Sequence, residues 1–307
     1  MNTYHIFGLA TVLMASLHAG AGLVMRAKFS PADVLDALAH HGVSQLQGPP
    51  GLFARLLAHI DEQAISTPRA PHLRYLYTGA APLDAALKAQ VEKRFGLPLH
   101  HGYGLSEYAG SVAVTRLGEW RKDTAAGYRF EGAELRIVGD HGQDLAVGEC
   151  GEIWIRGPGL MPGYFRDDPA TQAVTRPGGW YASGDIGQID QSGALFVVGR
   201  LKEMIIRSGF NVYPAEVEAV LNAWPAIQRS AVLGVPQADG NEQVQAFVEL
   251  RPGQVLDAQA LELHLREHLS PYKRPARVRV LASLPMTLSG KVLKRELLEA
   301  AEGAAGT

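Results

Sequence analysis

Between Ser30 and His101 the chain alternates helix-patterned and strand-patterned segments at short intervals, and this order restricts the fold more than any other feature. Ser30-Pro31 followed by Asp33 places an N-cap and a first-turn proline ahead of a helix through Val34 to His40. Val43 to Gln47 reads as a strand, Leu52 to Ile60 as a helix and Arg74 to Tyr77 as a second strand. Leu83, Leu87, Val91 and Phe95 recur at a spacing of four, which predicts a helix over Pro82 to Phe95, and Leu97 to His101 follows as a third strand. This is α/β order and predicts a mostly parallel sheet.

The pattern then changes. From Ser111 to Val198 short strands such as Ala133 to Val138 and Glu152 to Arg156 are broken by glycine and proline, which predicts a small β-barrel or sandwich. After Arg200 the order is mixed: helix Pro214 to Asn222, strands Ser230 to Gly234 and Gln243 to Leu250, helix Ala258 to His268, strand Arg277 to Val280. Ala300 to Thr307 reads as a frayed tail.

Composition bounds the function. A chain of 307 residues that is 47% hydrophobic buries a sizeable core, and its length suggests about two domains. A formal net charge of -2 argues against nucleic acid as a primary partner. The single Cys150 excludes an intrachain disulfide and any multi-cysteine metal site, so a reducing, cytoplasmic setting is expected. Cys150 sits in a Gly-Glu-Cys-Gly turn without a nearby His, which favours an inert thiol over a nucleophile. Ile6 to Met25 is a run of about 20 residues without a formal charge, long enough in principle to cross a bilayer. No Lys or Arg precedes it, and His18 with Gly8, Gly20 and Gly22 weakens its apolar character; on these residues a signal or anchor stays a live alternative.

Three clusters carry chemistry. Tyr103-Gly104-Leu105-Ser106-Glu107 follows the third strand, and the carboxyl ends of strands are where α/β sheets bind ligands. Asp185 and Arg200 flank a predicted turn, Asp190-Gln191-Ser192-Gly193, between strands Asp185 to Ile189 and Ala194 to Val198. A carboxylate and a guanidinium brought together that way can hold the hydroxyls of a ribose, although a surface hairpin explains the same residues. Thr287 to Lys291, TLSGK, presents one ammonium on a glycine loop, suited to a transition state that gathers negative charge; alone it is a weak signal.

The whole string from Ser183 to Glu218, SGDIGQIDQSGALFVVGRLKEMIIRSGFNVYPAEVE, resembles the adenylate-forming (AMP-binding) enzymes: acyl-CoA synthetases, aryl-CoA ligases, luciferases and peptide-synthetase adenylation domains. The resemblance is to the acyl-CoA synthetase branch, aryl- or fatty-acid–CoA ligases; the lack of a carrier-protein domain after Lys291 argues against a multidomain peptide synthetase, while a separate carrier protein stays open as the thiol partner. The resemblance implies that Asp185 and Arg200 bind the ribose of ATP and that Lys202 is the pivot of a mobile C-terminal domain. It implies that Tyr103 stacks on adenine beside Gly104, that Ser106 meets the α-phosphate, and that Glu107 holds Mg²⁺. Lys291 corresponds to the catalytic lysine. Gly79, Ala80 and Ala81 fall where adenine and acyl group pass, though they also read as a plain helix-start loop. Gly209 corresponds to the backbone lining the pantetheine tunnel, though it also reads as an ordinary turn glycine. The substrate acid falls near His5, Phe7, Thr11, Ala80, Tyr108 and Ser111, and core packing accounts equally for Phe7 and Tyr108. YHIFGL at 4–9 resembles a buried segment of the family, which leads to the expectation of no stable membrane insertion.

The implied fold is a truncated adenylate-forming one: residues 1–199 a partial large domain, with an α/β subdomain at 1–110 and a β-barrel-like subdomain at 111–199, and residues 200–307 an α+β lid hinged at Lys202. The implied reaction joins a small carboxylic acid to coenzyme A at the expense of ATP, releasing AMP and pyrophosphate. A phosphate loop of the type TSGTTGxPK, which the family carries, has no counterpart between Met1 and Thr307. The resemblance begins at Tyr4, so the chain is expected to represent about the second half of a member, with adenylation impaired. The alternative is a non-catalytic relative that binds nucleotide, coenzyme A or a partner protein, or an inactive fragment.

Overall fold

A computed structural model describes residues 5–237, 241–286 and 292–303, the last four of these as backbone only. The chain divides into two compact units, Met1–Val197 and Val198–Thr307.

The first unit opens with a π-helical segment, Phe7–Met14, continued by α1 (Ala15–His18). Among the described residues no helix is long and apolar enough to cross a membrane. Next come α2 (Pro31–His40), β1 (Gln45–Gly48), α3 (Pro50–Glu62), β2 (Tyr75–Gly79), α4 (Ala85–Phe95) and β3 (Leu99–Leu105). Ser30 caps α2 by accepting the Asp33 N–H. On α3 the buried positions Phe53, Leu56, Leu57 and Ile60 keep one helical face, and Phe53 and Leu57 pack with Leu76 of β2, Val91 of α4 and Leu99 of β3. Helix α4 starts three residues later than the spacing of four predicts, because Asp84 Oδ1 caps it at the Leu87 N–H, 2.8 Å away. Strand β3 runs on through Tyr103 to Leu105, past the predicted end at His101.

Strands β1, β2 and β3 are parallel; β4 (Gly110–Val114) and β5 (Tyr128–Arg129) complete this sheet in antiparallel fashion, in the order β1-β2-β3-β4-β5. The barrel-like segment is an open sheet. It comprises β6 (Glu134–Val138), β7 (Gly151–Arg156), β9 (Trp180–Ile189) and β10 (Leu195–Arg200) in the order β10-β9-β7-β6, with β8 (Thr175–Arg176) after α5 (Asp168–Val174) paired to β9. The predicted turn between β9 and β10 is made by Asp190, whose Oδ1 accepts the N–H groups of Ser192 and Ala194 at 2.8 and 2.9 Å.

The second unit contains β11 (Ile205–Arg207), β12 (Phe210–Val212), α6 (Pro214–Asn222), β13 (Ile227–Pro236), β14 (Glu242–Leu250), α7 (Ala258–His268), β15 (Arg277–Leu281) and α8 (Lys294–Gly303). Residues 300–303, expected as part of a frayed tail, continue α8. Strands β13, β14 and β15 form one sheet whose side chains alternate. Val244, Ala246 and Val248 of β14 face Leu221 of α6 and Leu261 of α7, while Phe247 packs with Leu284 and with Leu297 of α8.

Candidate active site

The local structure around Ser183-Gly184-Asp185 explains how β9 presents a carboxylate. Pairing of β7 with β9 breaks register between Glu152 and Trp154, and the irregularity is filled by side chains. Ser183 Oγ donates to the Ile153 carbonyl at 2.6 Å and accepts the Asp185 N–H at 3.1 Å; Glu152 Oε1 accepts the Gly184 N–H at 2.9 Å. Gly184 takes a positive φ of 69°. Asp185 itself is 5% exposed.

Asp185 meets the end of β3. The Tyr103 hydroxyl donates to Asp185 Oδ2 at 2.6 Å, with the Tyr103 ring buried among Val112, Ala113 and Ile155. Gly104 lets β3 pass β4 closely: a Cβ there would lie 2.1 Å from the Gly110 carbonyl oxygen. Ser106–Tyr108 form a single 3-10 turn. Glu107 is held at two points by the segment after β7: Met161 N–H donates to its carbonyl at 2.7 Å, and Tyr164 Oη to its Oε1 at 3.0 Å. Tyr164 in turn lies 3.3 Å from Tyr181 Oη. Burial, with the Glu107 carboxylate nearby, keeps both phenols above their ordinary titration range.

The remaining first-unit candidates line β2, β3 and the N-terminal helix. Phe7 packs edge-on against Tyr77, ring centroids 5.3 Å apart, and Thr11 Oγ1 is 3.3 Å from Ser111 Oγ. His5 Nδ1 accepts the Phe7 N–H at 3.2 Å. Gly79 ends β2, and Ala80 adopts a positive φ of 65°. Behind this loop the buried His101 has Nδ1 3.0 Å from the Thr124 carbonyl, and it also bonds the Ala81 backbone. Burial drives its pKa below the usual histidine range. The fully buried Thr78 hydroxyl has no hydrogen-bond partner among the described residues. Tyr108 lies inside the β-sheet core against Gly157 and Gly159.

Arg200 ends β10 and is exposed; Lys202 lies in the exposed 3-10 turn Leu201–Glu203. Gly209 and Ser208 form the β11–β12 turn with positive φ at both residues, the geometry a two-residue hairpin needs, and Asn241 Oδ1 accepts the Ser208 N–H at 2.7 Å. Lys291 lies outside the described residues.

This arrangement holds two carboxylates: Asp185, buried and bonded by Tyr103, and Glu107, anchored by Tyr164. Among the described residues no three His, Cys, Asp or Glu side chains gather into a metal cage. One carboxylate fits a nucleotide-borne Mg²⁺, which takes most of its ligands from phosphate and water. Tyr164, Tyr181 and His101 are the residues that motif reading passes over. The only sequence signals for them are an aromatic in the Pro162-Gly163-Tyr164 loop, an aromatic just before Ser183-Gly184-Asp185, and a His two residues before Tyr103.

Residues 1–165 match the AMP-binding enzyme family and residues 216–291 the AMP-binding enzyme C-terminal domain. The chain belongs to the AMP-binding enzyme family. It is 34% identical over 297 residues to a long-chain-fatty-acid–CoA ligase of Bacillus subtilis, covering 96% of this chain and 52% of that protein. It is 36% identical over 295 residues to a feruloyl-CoA synthase of Amycolatopsis, covering 96% of this chain and 59% of that one. Among solved structures, ATP-bound MatB of Rhodopseudomonas palustris superposes with a TM-score of 0.91 at 30% identity, over 98% of this chain and 59% of that one. The chain thus spans little more than half the length of the relatives it matches.

Proposed function

We propose that this chain carries the ribose-binding and thioester-forming part of an ATP-dependent acid–thiol ligase. The observation that supports it most is the buried Asp185 carboxylate held by Tyr103, four residues before the anchored Glu107. In the reaction a substrate carboxylate oxygen attacks the α-phosphorus of ATP, the bond to pyrophosphate breaks, and an acyl-adenylate forms. The thiolate of coenzyme A then attacks the acyl carbon and AMP leaves.

In this reading Asp185 accepts the ribose hydroxyls, with Arg200 donating to the same sugar. Tyr103 fixes the Asp185 rotamer, and Ser106 donates to the α-phosphate. Glu107 would hold a nucleotide-borne Mg²⁺, which would offset phosphate charge. Rotation about Lys202 exchanges Lys291 for the Ser208-Gly209 turn, so that one acyl pocket near His5, Phe7, Thr11 and Ser111 serves both steps. The long-chain-fatty-acid and feruloyl ligases make fatty or aryl acids the substrate classes to try first. The 307 residues contain no phosphate loop, so the chain by itself is expected to adenylate poorly.

Calorimetry with AMP and with coenzyme A tests the reading. Saturable binding of AMP that Asp185→Ala abolishes supports it. AMP binding that survives that substitution, or no binding of either ligand, contradicts it, and binding of both without any turnover favours a non-catalytic relative.

A further inference from the structure

Glu107, half-buried on a three-residue turn, is gripped by a segment distant in the sequence. The segment after β7 reaches it twice, with the Met161 N–H on its carbonyl and the Tyr164 hydroxyl on Oε1, 3.0 Å away. Tyr164 is itself braced. Thr171 Oγ1 accepts its backbone N–H at 2.9 Å, and the Tyr181 hydroxyl lies 3.3 Å from its own. Tyr181 is 6% exposed on β9, where it pairs with Ile155 of β7.

Proton direction follows from the groups present. An ionised carboxylate only accepts, so Tyr164 donates to Glu107; its oxygen is then the acceptor for the Tyr181 hydroxyl. The relay runs from Tyr181 to Tyr164 to Glu107.

We propose that Tyr164, backed by Tyr181, is a positioning residue that fixes the Glu107 carboxylate for a nucleotide-borne divalent cation. The proposal rests on reading Glu107 as the cation-holding carboxylate. The Tyr164 bond uses one of about four acceptor positions on the carboxylate, which leaves capacity for a metal. Without the phenol, Glu107 on its short, half-buried turn must lose rotamer freedom when the metal binds. Outer partners of this kind typically set about 10–100-fold in metal affinity. Because Tyr181 lies on the strand that carries Asp185, four residues on, the relay also ties the cation carboxylate to the ribose carboxylate through one strand.

The test is Mn²⁺ binding followed by electron paramagnetic resonance, with saturating α,β-methylene-ATP, which cannot be cleaved at the α-phosphate. Wild type, Glu107→Gln, Tyr164→Phe and Tyr181→Phe are compared, with thermal midpoints recorded for each. The expected result is loss of about 10–100-fold in Mn²⁺ affinity for Tyr164→Phe, a smaller loss for Tyr181→Phe and at least as large a loss for Glu107→Gln. Metal-free AMP affinity should stay unchanged in the phenylalanine variants, which separates positioning from a general loss of structure. If Glu107→Gln weakens Mn²⁺ binding but Tyr164→Phe does not, the positioning role is wrong and the reading of Glu107 stands. If Mn²⁺ binding is absent, or indifferent to Glu107→Gln, the reading of Glu107 fails and the proposal falls with it.

Discussion

The Tyr103 hydroxyl donates to Asp185 Oδ2 across 2.6 Å, although 82 positions separate the two residues in the chain. The bond joins the end of β3 in the first sheet to β9 in the second, and both partners are buried. It links the segment bearing Glu107 to the irregular stretch of β9 at Ser183-Gly184-Asp185.

Removing that donor should be costly. In Tyr103→Phe the Asp185 carboxylate stays buried while losing a short charge-assisted hydrogen bond, so a loss of about 1–3 kcal/mol is expected. Urea unfolding of the wild type and variant checks it, and AMP affinity should fall in parallel. A neutral effect on both would mean that Asp185 is satisfied without Tyr103.

Gly104→Ala should damage the same place by a different route. The new methyl would meet backbone atoms of Gly110 and Ser111 at 2.1 to 2.8 Å, so strand must move from strand, at about 1–3 kcal/mol or more. Gly51, in α3 with open space around it, is the control: Gly51→Ala should be neutral or stabilising by up to about 1 kcal/mol. Thermal midpoints of the two variants should therefore move in opposite directions, or only the first should move.

Histidines 100 and 101 predict an acid limb that begins early. Burial is the largest cause that lowers both pKa values in the folded state. Below the unfolded value of about 6.5 the unfolded chain binds protons that the folded chain refuses. Their contribution is therefore full above about pH 6.5 and is lost as pH falls from there toward the folded values, ahead of most carboxylates. Unfolding free energy measured from pH 8 to 5 should fall below about pH 6.5, and His100→Gln should flatten part of that fall. A profile level down to pH 5 would show that the two rings protonate without opening the fold.

The second unit has its own weak point. Phe247 is 1% exposed and packs β14 against Leu284 and Leu297. Phe247→Ala should cost about 3–5 kcal/mol and loosen residues beyond Val197. Limited proteolysis should then cut there first, leaving a product close to residues 1–197. Equal cutting in both units would contradict this.

Much of the architecture is legible in the residues because it depends on local periodicity and caps. Helices Pro214–Asn222 and Ala258–His268 end where their apolar pattern ends, and the Ser30 cap and the Asp190 turn form as their side chains dictate. What periodicity does not carry is strand extension and partner choice. Strand β3 continues to Leu105 because β4 returns alongside it with Gly104 and Gly110 allowing close approach, a relation no local pattern shows. The open β10-β9-β7-β6 sheet likewise depends on which edges remain unpaired. Motif resemblance singles out Asp185, Tyr103 and Glu107, whereas Tyr164, Tyr181 and His101 make side-chain contacts that exist only in three dimensions.

The most direct test of the ligase reading supplies a preformed acyl-adenylate, of a fatty or aryl acid, together with coenzyme A, so that no phosphate loop is needed. The account predicts thioester formed above the protein-free rate by the wild-type chain and reduced by Asp185→Ala. Thioester at no more than the protein-free rate, across both acid classes, would contradict it.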